Sequence, residues 1–307
     1  MGADGNNRNS IHVPVMVDEV AHYLNCRPGQ VILDCTLGEG GHASLLAAKL
    51  SPGGIWIGID RDSEAIEVAR RKLKEFGGLI KIEQANFSEL REVLERAGIS
   101  EVDGVLFDLG VNSSQLQEAN RGFSFREDGP LDMRMDTREG YRAEDLINRT
   151  GRKDLEWIIR EYGEERFAGR IARRIVEERS KQPIRRTVRL ARIISGAVPG
   201  RGRIHPATRT FQALRIYLNQ ELEALKRALP EAISILKPGG RICVISFHSL
   251  EDRIVKFEFR HQARQKEELT ILTKKPVRPQ REEVRRNRRS RSAKLRAAEK
   301  SGGRDNE

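Results

Sequence analysis

Cysteine is scarce: three residues in 307, Cys26, Cys35 and Cys243. An odd number with no paired spacing excludes a disulfide framework and a cysteine zinc site. Cys35 and Cys243 sit in apolar strand contexts, as small core residues of a cytosolic protein do. The six histidines show no H-x-x-x-H spacing, so no metal is expected. Long apolar runs are missing too, and nothing approaches the roughly 20 residues of a membrane span. The start is polar, lacks a signal-peptide core, and has Asn6 where a myristoylation signal needs Ser or Thr. The expectation is a cytoplasmic chain without a membrane partner. One local absence is the most telling. Between Gly29 and Ala48 there is no Lys or Arg.

That cation-free stretch holds the most informative residues, VILDCTLGEGGH at 31–42. An apolar run, Val31 to Leu33, ends in Asp34. A turn with Gly38, Gly40 and Gly41 follows, and then a helical stretch over 42–50. Strand, glycine turn and helix bring backbone close to a nucleotide. A second apolar run from Ile55 ends in Asp60, 20 residues after Gly40. An acid there is placed to accept from ribose hydroxyls. The turn formally reads G-x-G-x-x-A, so NAD must be weighed. A pyrophosphate would meet Asp34 and Glu39 without a balancing cation. S-adenosylmethionine carries a sulfonium and an ammonium, which an acidic turn attracts, and charge therefore favours it over NAD.

Alternation of apolar runs and amphipathic stretches continues. The pattern predicts helices over 63–76, with Ser63 as cap, and 88–97, and strands over 80–82 and 102–107. Four strands separated by helices imply a doubly wound, mostly parallel α/β sheet. From 111 to 205 no strand is expected. Residues 120–136 read as a long loop, a length usually kept for function. Helices are expected over 163–179 and 210–229. A turn is expected at 237–240 and a strand at 241–245. Residues 274–307, dense in Arg, read as an extended or partly disordered basic arm.

The net charge of +11 is uneven. Residues 1–163 carry 20 basic and 28 acidic side chains, 164–215 carry 14 and 4, and 274–307 carry 13 and 5. Two basic blocks beside a nucleotide fold point to a polyanionic partner. Ligands of such a sheet sit at the carboxyl ends of its strands. Those ends are Asp34, Asp60, Phe87, Asp108 and the run from Ser246 to His248. Phe87 can cover an adenine, Asp108 can accept from an amine, and His248 can act as a base or orient a substrate.

The motifs GEGGH (38–42), GIDRD (58–62), DLGVNSSQL (108–116), RGFSF (121–125), DGPLDMRMD (128–136), YGEERFAGRIARRI (162–175), HPATRTFQALRI (205–216) and SFHSLEDRIVK (246–256) resemble the RsmH (MraW) family. These are bacterial cytidine-N4 methyltransferases of small-subunit (16S) ribosomal RNA. The likeness runs from about His12 to Arg296. It departs from the family at Asn112-Ser113-Ser114, where Ser and then Ser-Pro are more usual.

The resemblance implies a class I S-adenosylmethionine-dependent methyltransferase fold with an inserted helical domain. The division expected is a first catalytic part at 1–135, a basic helical RNA-recognition insert at 136–205, a second catalytic part at 206–273 and an arm at 274–307. It implies cofactor contacts at Gly40, Gly41, His42, Asp60, Phe87, Asp108 and Gln115. Asp108 and His248 are the candidates for gripping the cytosine amine. Ser246, His248, Arg253, Arg173 and Arg174 are the candidates for holding RNA. The implied partner is small-subunit ribosomal RNA or its particle, and a homodimer is left open. Two other readings stand at this point, a NAD-linked oxidoreductase and a non-catalytic RNA-binding protein.

Overall fold

Seven strands, β1 (Val31–Asp34), β2 (Ile55–Asp60), β3 (Ile80–Gln84), β4 (Val102–Asp108), β5 (Leu236–Ser246), β6 (Leu269–Ile271) and β7 (Lys294–Lys300), form one sheet in the order β3-β2-β1-β4-β5-β7-β6. A computed structural model describes residues 14–302 apart from Glu139, Arg201 and Arg203; the polar start with Asn6 and His12 lies outside the described residues. β1 to β5 pair in parallel, and β7 runs antiparallel between β5 and β6. This is the doubly wound class I methyltransferase arrangement that the resemblance implies.

The central strands are apolar along their whole length because helices cover both faces. Successive side chains alternate between faces. Leu33, Ile57, Val105, Phe107 and Val244 pack on one side. Ile32, Trp56, Leu106, Cys243 and Ile245 pack on the other. Cys35 and Cys243 are buried free thiols, in the core role expected of them. The first face is covered by α4 (Leu90–Arg96), α11 (Glu221–Ser234) and α12 (Ser249–Arg264), and the second by α1 (Val17–Leu24), α2 (Gly41–Leu46) and α3 (Ser63–Lys72). A short helix, α5 (Ser113–Gln117), follows β4, and α13 (Arg281–Arg286) precedes β7.

Helices α6 (Ala143–Arg149), α7 (Arg152–Gly163), α8 (Ala168–Lys181), α9 (Thr187–Ala197) and α10 (Ala207–Leu218) build a second lobe. Its core runs from Phe123 through Met133, Ile159 and Ile175 to Leu214. Residues on both flanks of 136–205 therefore contribute to it, and α10 packs mainly on α7. The 120–136 loop is clamped under this lobe. A side chain at Gly129 would place its Cβ 1.7 Å from the Ala119 carbonyl oxygen.

Several expected boundaries move. Asp62, not Ser63, caps α3, accepting from the Glu64 N–H at 3.0 Å. α3 ends at Lys72 because 3-10 turns follow, with Gly77 at φ 52°. The helix expected over 163–179 starts at Ala168, since Gly163 ends α7 and Glu164 adopts a left-handed conformation. The helix expected over 210–229 is two, broken at Asn219 and Gln220. The 237–240 turn is a bulge inside β5, whose register jumps from Leu236 to Arg241 against Val102 and Gly104.

The largest correction concerns the arm. Residues 294–300 are not disordered. They form β7, with Leu295, Ala297 and Ala298 fully buried. Small alanines fit between two strands, and the buried Arg296 is neutralised by Asp252 at 2.7 Å. A window average dominated by Arg hides these four residues. Among the described residues no helix is long and apolar enough to cross a membrane.

Candidate active site

The carboxyl ends of β1, β2, β4 and β5 open into a cavity of about 810 Å³. Its floor starts at the glycine turn. Gly38 and Gly40 have φ of 53° and 74°, which side chains rarely adopt. At Gly40 a Cβ would also come 2.6 Å from Leu73. The Gly38 N–H donates to Asp60 Oδ2 at 2.8 Å, and the Asp62 N–H donates to Asp60 Oδ1 at 2.9 Å. Asp60 thus ties the turn to the start of α3. Each of its oxygens keeps a second lone pair, and the residue lines the cavity. Burial raises its pKa against the opposing effect of those two donors. Asp34 lies beneath the turn, accepting from the Thr36 N–H at 3.1 Å, and burial pushes it up to about 7.

Asp108 is the most unusual group. Its side chain is 23% exposed, yet Oδ1 is buried without a partner among the described residues. Oδ2 lies 3.8 Å from His42 Nδ1. His42 Nε2 sits 3.0 Å from the Val15 carbonyl oxygen, to which it donates. Burial, followed by the charges of Asp34, Glu251 and Glu283, raises Asp108 well above the usual carboxylate range. Such a carboxyl awaits a donor or a cation.

The loop after Asp108 is held rigidly. Asn112 caps α5, accepting from the Gln115 N–H at 2.8 Å, while Gln115 Oε1 accepts from the Asn112 N–H at 3.0 Å. Gln115 Nε2 donates to Asp62 Oδ2 at 2.5 Å, and the Ser114 hydroxyl donates to Glu39 at 2.6 Å. The departure at 112–114 therefore supplies its own cap. Arg121 is buried under this loop and bonds Asp62 and Glu64 at 2.9 and 2.6 Å.

After the neighbouring strand β5, His248 caps α12. Its Nε2 lies 3.0 Å from Glu251 Oε1. Glu251 Oε2 accepts from the Phe247 and His248 N–H groups at 2.8 and 3.2 Å. Burial raises Glu251, but His248, Arg215 and these donors outweigh it and hold it low. Arg215 donates twice to Glu221, both at 2.9 Å. Phe87 stands edge-on to Phe107 at 5.7 Å. Phe125 and Phe211 meet at 4.8 Å on the facing wall. Arg286, Arg288, Arg289 and Arg291 form a basic rim, with Arg289 bonded to the Ser113 hydroxyl.

The structure brings Gly41, His42, Asp60, Phe87, Asp108, Gln115 and His248 to this one cavity. Gly40 shapes the turn from behind. Ser246 is buried at the end of β5, near the Lys294 carbonyl. Arg253 is exposed and holds Glu164 at 2.8 Å, which joins α12 to the helical lobe. Arg173 and Arg174 are on the outer face of α8, paired with Glu177 and Glu178 at 3.1–3.8 Å. Neither they, Ser246 nor Arg253 line the cavity. Sequence reasoning missed Arg215, Phe125 and Phe211 as individual residues. Phe125 ends the RGFSF motif and the other two lie within HPATRTFQALRI, but nothing in their spacing marks them as lining.

The lining is bipolar. Carboxylates at the strand ends suit a cationic ligand with hydroxyl and amine donors, while the arginine rim suits an anion. The unpartnered Asp108 Oδ1 and the glycine turn both fit S-adenosylmethionine better than a pyrophosphate.

A family model, the MraW methylase family, matches residues 9–301. A ribosomal RNA small subunit methyltransferase H from Pelobacter propionicus is 52% identical over 307 residues, covering 94% of this chain and 98% of its own. A protein of the same description from Clostridioides difficile is 46% identical, covering 94% and 98%. A solved structure of an rRNA methylase from Streptococcus thermophilus is 10% identical, with a TM-score of 0.44 over 93% of this chain and 94% of that one.

Proposed function

Because this chain belongs to the MraW methylase family, we propose that it transfers a methyl group from S-adenosylmethionine to the exocyclic N4 of one cytidine in the decoding region of small-subunit ribosomal RNA. The observation that carries the reading is Asp108, which lines a cavity holding both strand-end carboxylates and arginines and has a buried carboxyl oxygen without a partner among the described residues.

S-adenosylmethionine supplies an activated methyl group on a positively charged sulfur. The backbone at Gly41 and the turn before it, with His42 and Gln115, would hold it, Asp60 accepting from the ribose and Phe87 covering the adenine. Asp108 belongs to the same contact set through the ligand's positive charge. Its loop lies beside the end of β5 that leads to His248. A cytosine amine is a poor nucleophile because its lone pair is delocalised into the ring. Acceptors that hold its hydrogens, and a geometry that aligns nitrogen, carbon and sulfur, lower the barrier mainly by positioning. Asp108 is assigned that grip, while His248, whose two ring nitrogens both face Glu251, shapes the wall beside it.

A cytidine in folded RNA must be unstacked to reach such a cavity. The rim arginines, and the basic helical segment at 136–205, would hold the flanking phosphates. Glu39 lies on the turn where a dinucleotide would place its pyrophosphate, which weighs against NAD. Incubation of the protein with labelled S-adenosylmethionine and small-subunit particles, followed by mass spectrometry of nucleosides, should yield N4-methylcytidine. Methylation confined to carbon-5, to ribose or to protein would sink the proposal.

A further inference from the structure

A second concavity, of about 330 Å³, opens between α12, the end of β6 and β7. Five cations line it: Lys256, Arg260, Arg264, Lys274 and Arg296. No carboxylate does. Phe259, buried, and Ile271 make its floor. Arg296 is neutralised by Asp252, which also takes Lys294 at 3.0 Å. The other four have no ion pair among the described residues. The acids nearby in the chain are engaged elsewhere, Glu258 with Gln262 at 2.6 Å and Glu268 with Lys300 at 3.0 Å.

Four like charges gathered around one apolar floor repel each other. A concave, weakly polarisable wall also focuses their field outward. Their spacing is regular. Lys256, Arg260 and Arg264 are four residues apart on one helix, so their heads follow one stripe at about 6 Å intervals along the axis. Such a row suits a chain of phosphates better than a single small anion. The pocket is also joined to the cavity already described. Residues 274–291 lead from Lys274 in the pocket to Arg291 on the cavity rim, with nine basic and two acidic side chains. Phe257, 60% exposed beside Lys256, adds an aromatic ring on which an unpaired base can stack.

We propose that this pocket is a phosphate-binding site for the RNA strand that flanks the target nucleotide, with Lys256, Arg260 and Arg264 on one wall and Lys274 on the other. The inference rests on the RNA-methyltransferase reading above and extends it to a surface outside the cavity.

The test uses the full-length protein and a labelled single-stranded RNA, with binding followed by fluorescence anisotropy across a salt series. The triple variant Lys256→Gln, Arg260→Gln, Arg264→Gln should bind more weakly at low salt. Its log–log salt slope should be shallower by about 2, at roughly 0.7 for each phosphate no longer neutralised. Affinity for S-adenosylmethionine, measured by calorimetry, should not change. Lys274→Gln, on the facing wall, should act in the same direction alone, which keeps the test open if the triple variant folds poorly. The charge-preserving Arg260→Lys should retain most of the affinity. An unaltered slope in both glutamine variants, with wild-type binding intact, overturns the pocket alone. Absence of any salt-dependent RNA binding by the wild type overturns the pocket and the underlying reading together. Normal binding to protein-free RNA with impaired methylation of particles would assign the pocket to a ribosomal protein and reject an RNA site.

Discussion

Asp60 carries two duties that a sequence pattern shows as one. Its distance from the glycine turn was legible because ribose contacts require an acid at the end of the second strand. Its bonds to the Gly38 and Asp62 N–H groups were not legible, since they depend on where the turn folds back. Asp60→Ala should therefore weaken S-adenosylmethionine binding by one or two charge-assisted hydrogen bonds, about 1.5–3 kcal/mol each, and also loosen the turn. Asp60→Asn, which keeps one acceptor, should lose less. Calorimetry giving unchanged affinity for a folded Asp60→Ala protein would remove Asp60 from the site. Asp34 below it makes a pH prediction. A carboxyl raised from 3.8 to about 7 in the folded state binds its proton more tightly there than when unfolded. Its contribution to stability is therefore full below 3.8 and declines as pH rises toward 7. Thermal melting of Asp34→Asn should show a shallower loss of midpoint between about pH 5 and 7 than wild type. Parallel curves for the two proteins would show that Asp34 does not titrate in that window.

At the level of elements, β1, β2 and β4 were readable as short apolar runs bounded by glycine or acid and β3 as a short alternating stretch, and β7 was not. The strand LRAA has two small alanines and a buried arginine, and its partner Asp252 lies 44 residues away in sequence. Only the assembled sheet makes sense of it. Removing the chain from Lys274 onward, which a disordered arm would tolerate, should instead expose the edge of β5 and the buried side chains of Cys243 and Ile245. The truncated protein should be insoluble or lose cooperative unfolding. A milder probe is Ala297→Asp. An unpaired carboxylate at a fully buried position should destabilise by several kcal/mol. Urea denaturation with an unchanged midpoint would mean that β7 is not a structural strand in solution. The α8 boundary shows the same limit. The helix expected from Gly163 includes Glu164, but Glu164 is the left-handed joint between two helices, and its side chain reaches Ser249 and Arg253 on α12.

On the scale of the whole molecule, the charge asymmetry was visible in the composition, but its geometry was not. The sequence marks two basic blocks with nearly equal weight. The fold treats them differently. On and just before α8, Arg173 and Arg174 spend their charge on Glu177 and Glu178, Arg166 stacks on Phe167 at 4.5 Å, and Arg179 bonds the Ile147 carbonyl at 2.6 Å. The C-terminal block instead places Arg286, Arg288, Arg289 and Arg291 on the lining of the cavity, with Arg286 paired to Glu282 and Arg289 within reach of the Glu39 charge. The two blocks should differ in their effect on RNA. Replacing Arg288 and Arg291 with Glu should raise the RNA dissociation constant more than replacing Arg173 and Arg174, because the exposed pairs on α8 already offset much of their charge. The rim variant should also flatten the salt dependence by more, at about 0.7 for each phosphate released. Both should keep wild-type affinity for S-adenosylmethionine, which meets the acidic wall. An equal or larger loss from the α8 pair would move the main phosphate contacts onto the helical lobe, and the rim arginines would then serve to close the cavity rather than to bind the strand.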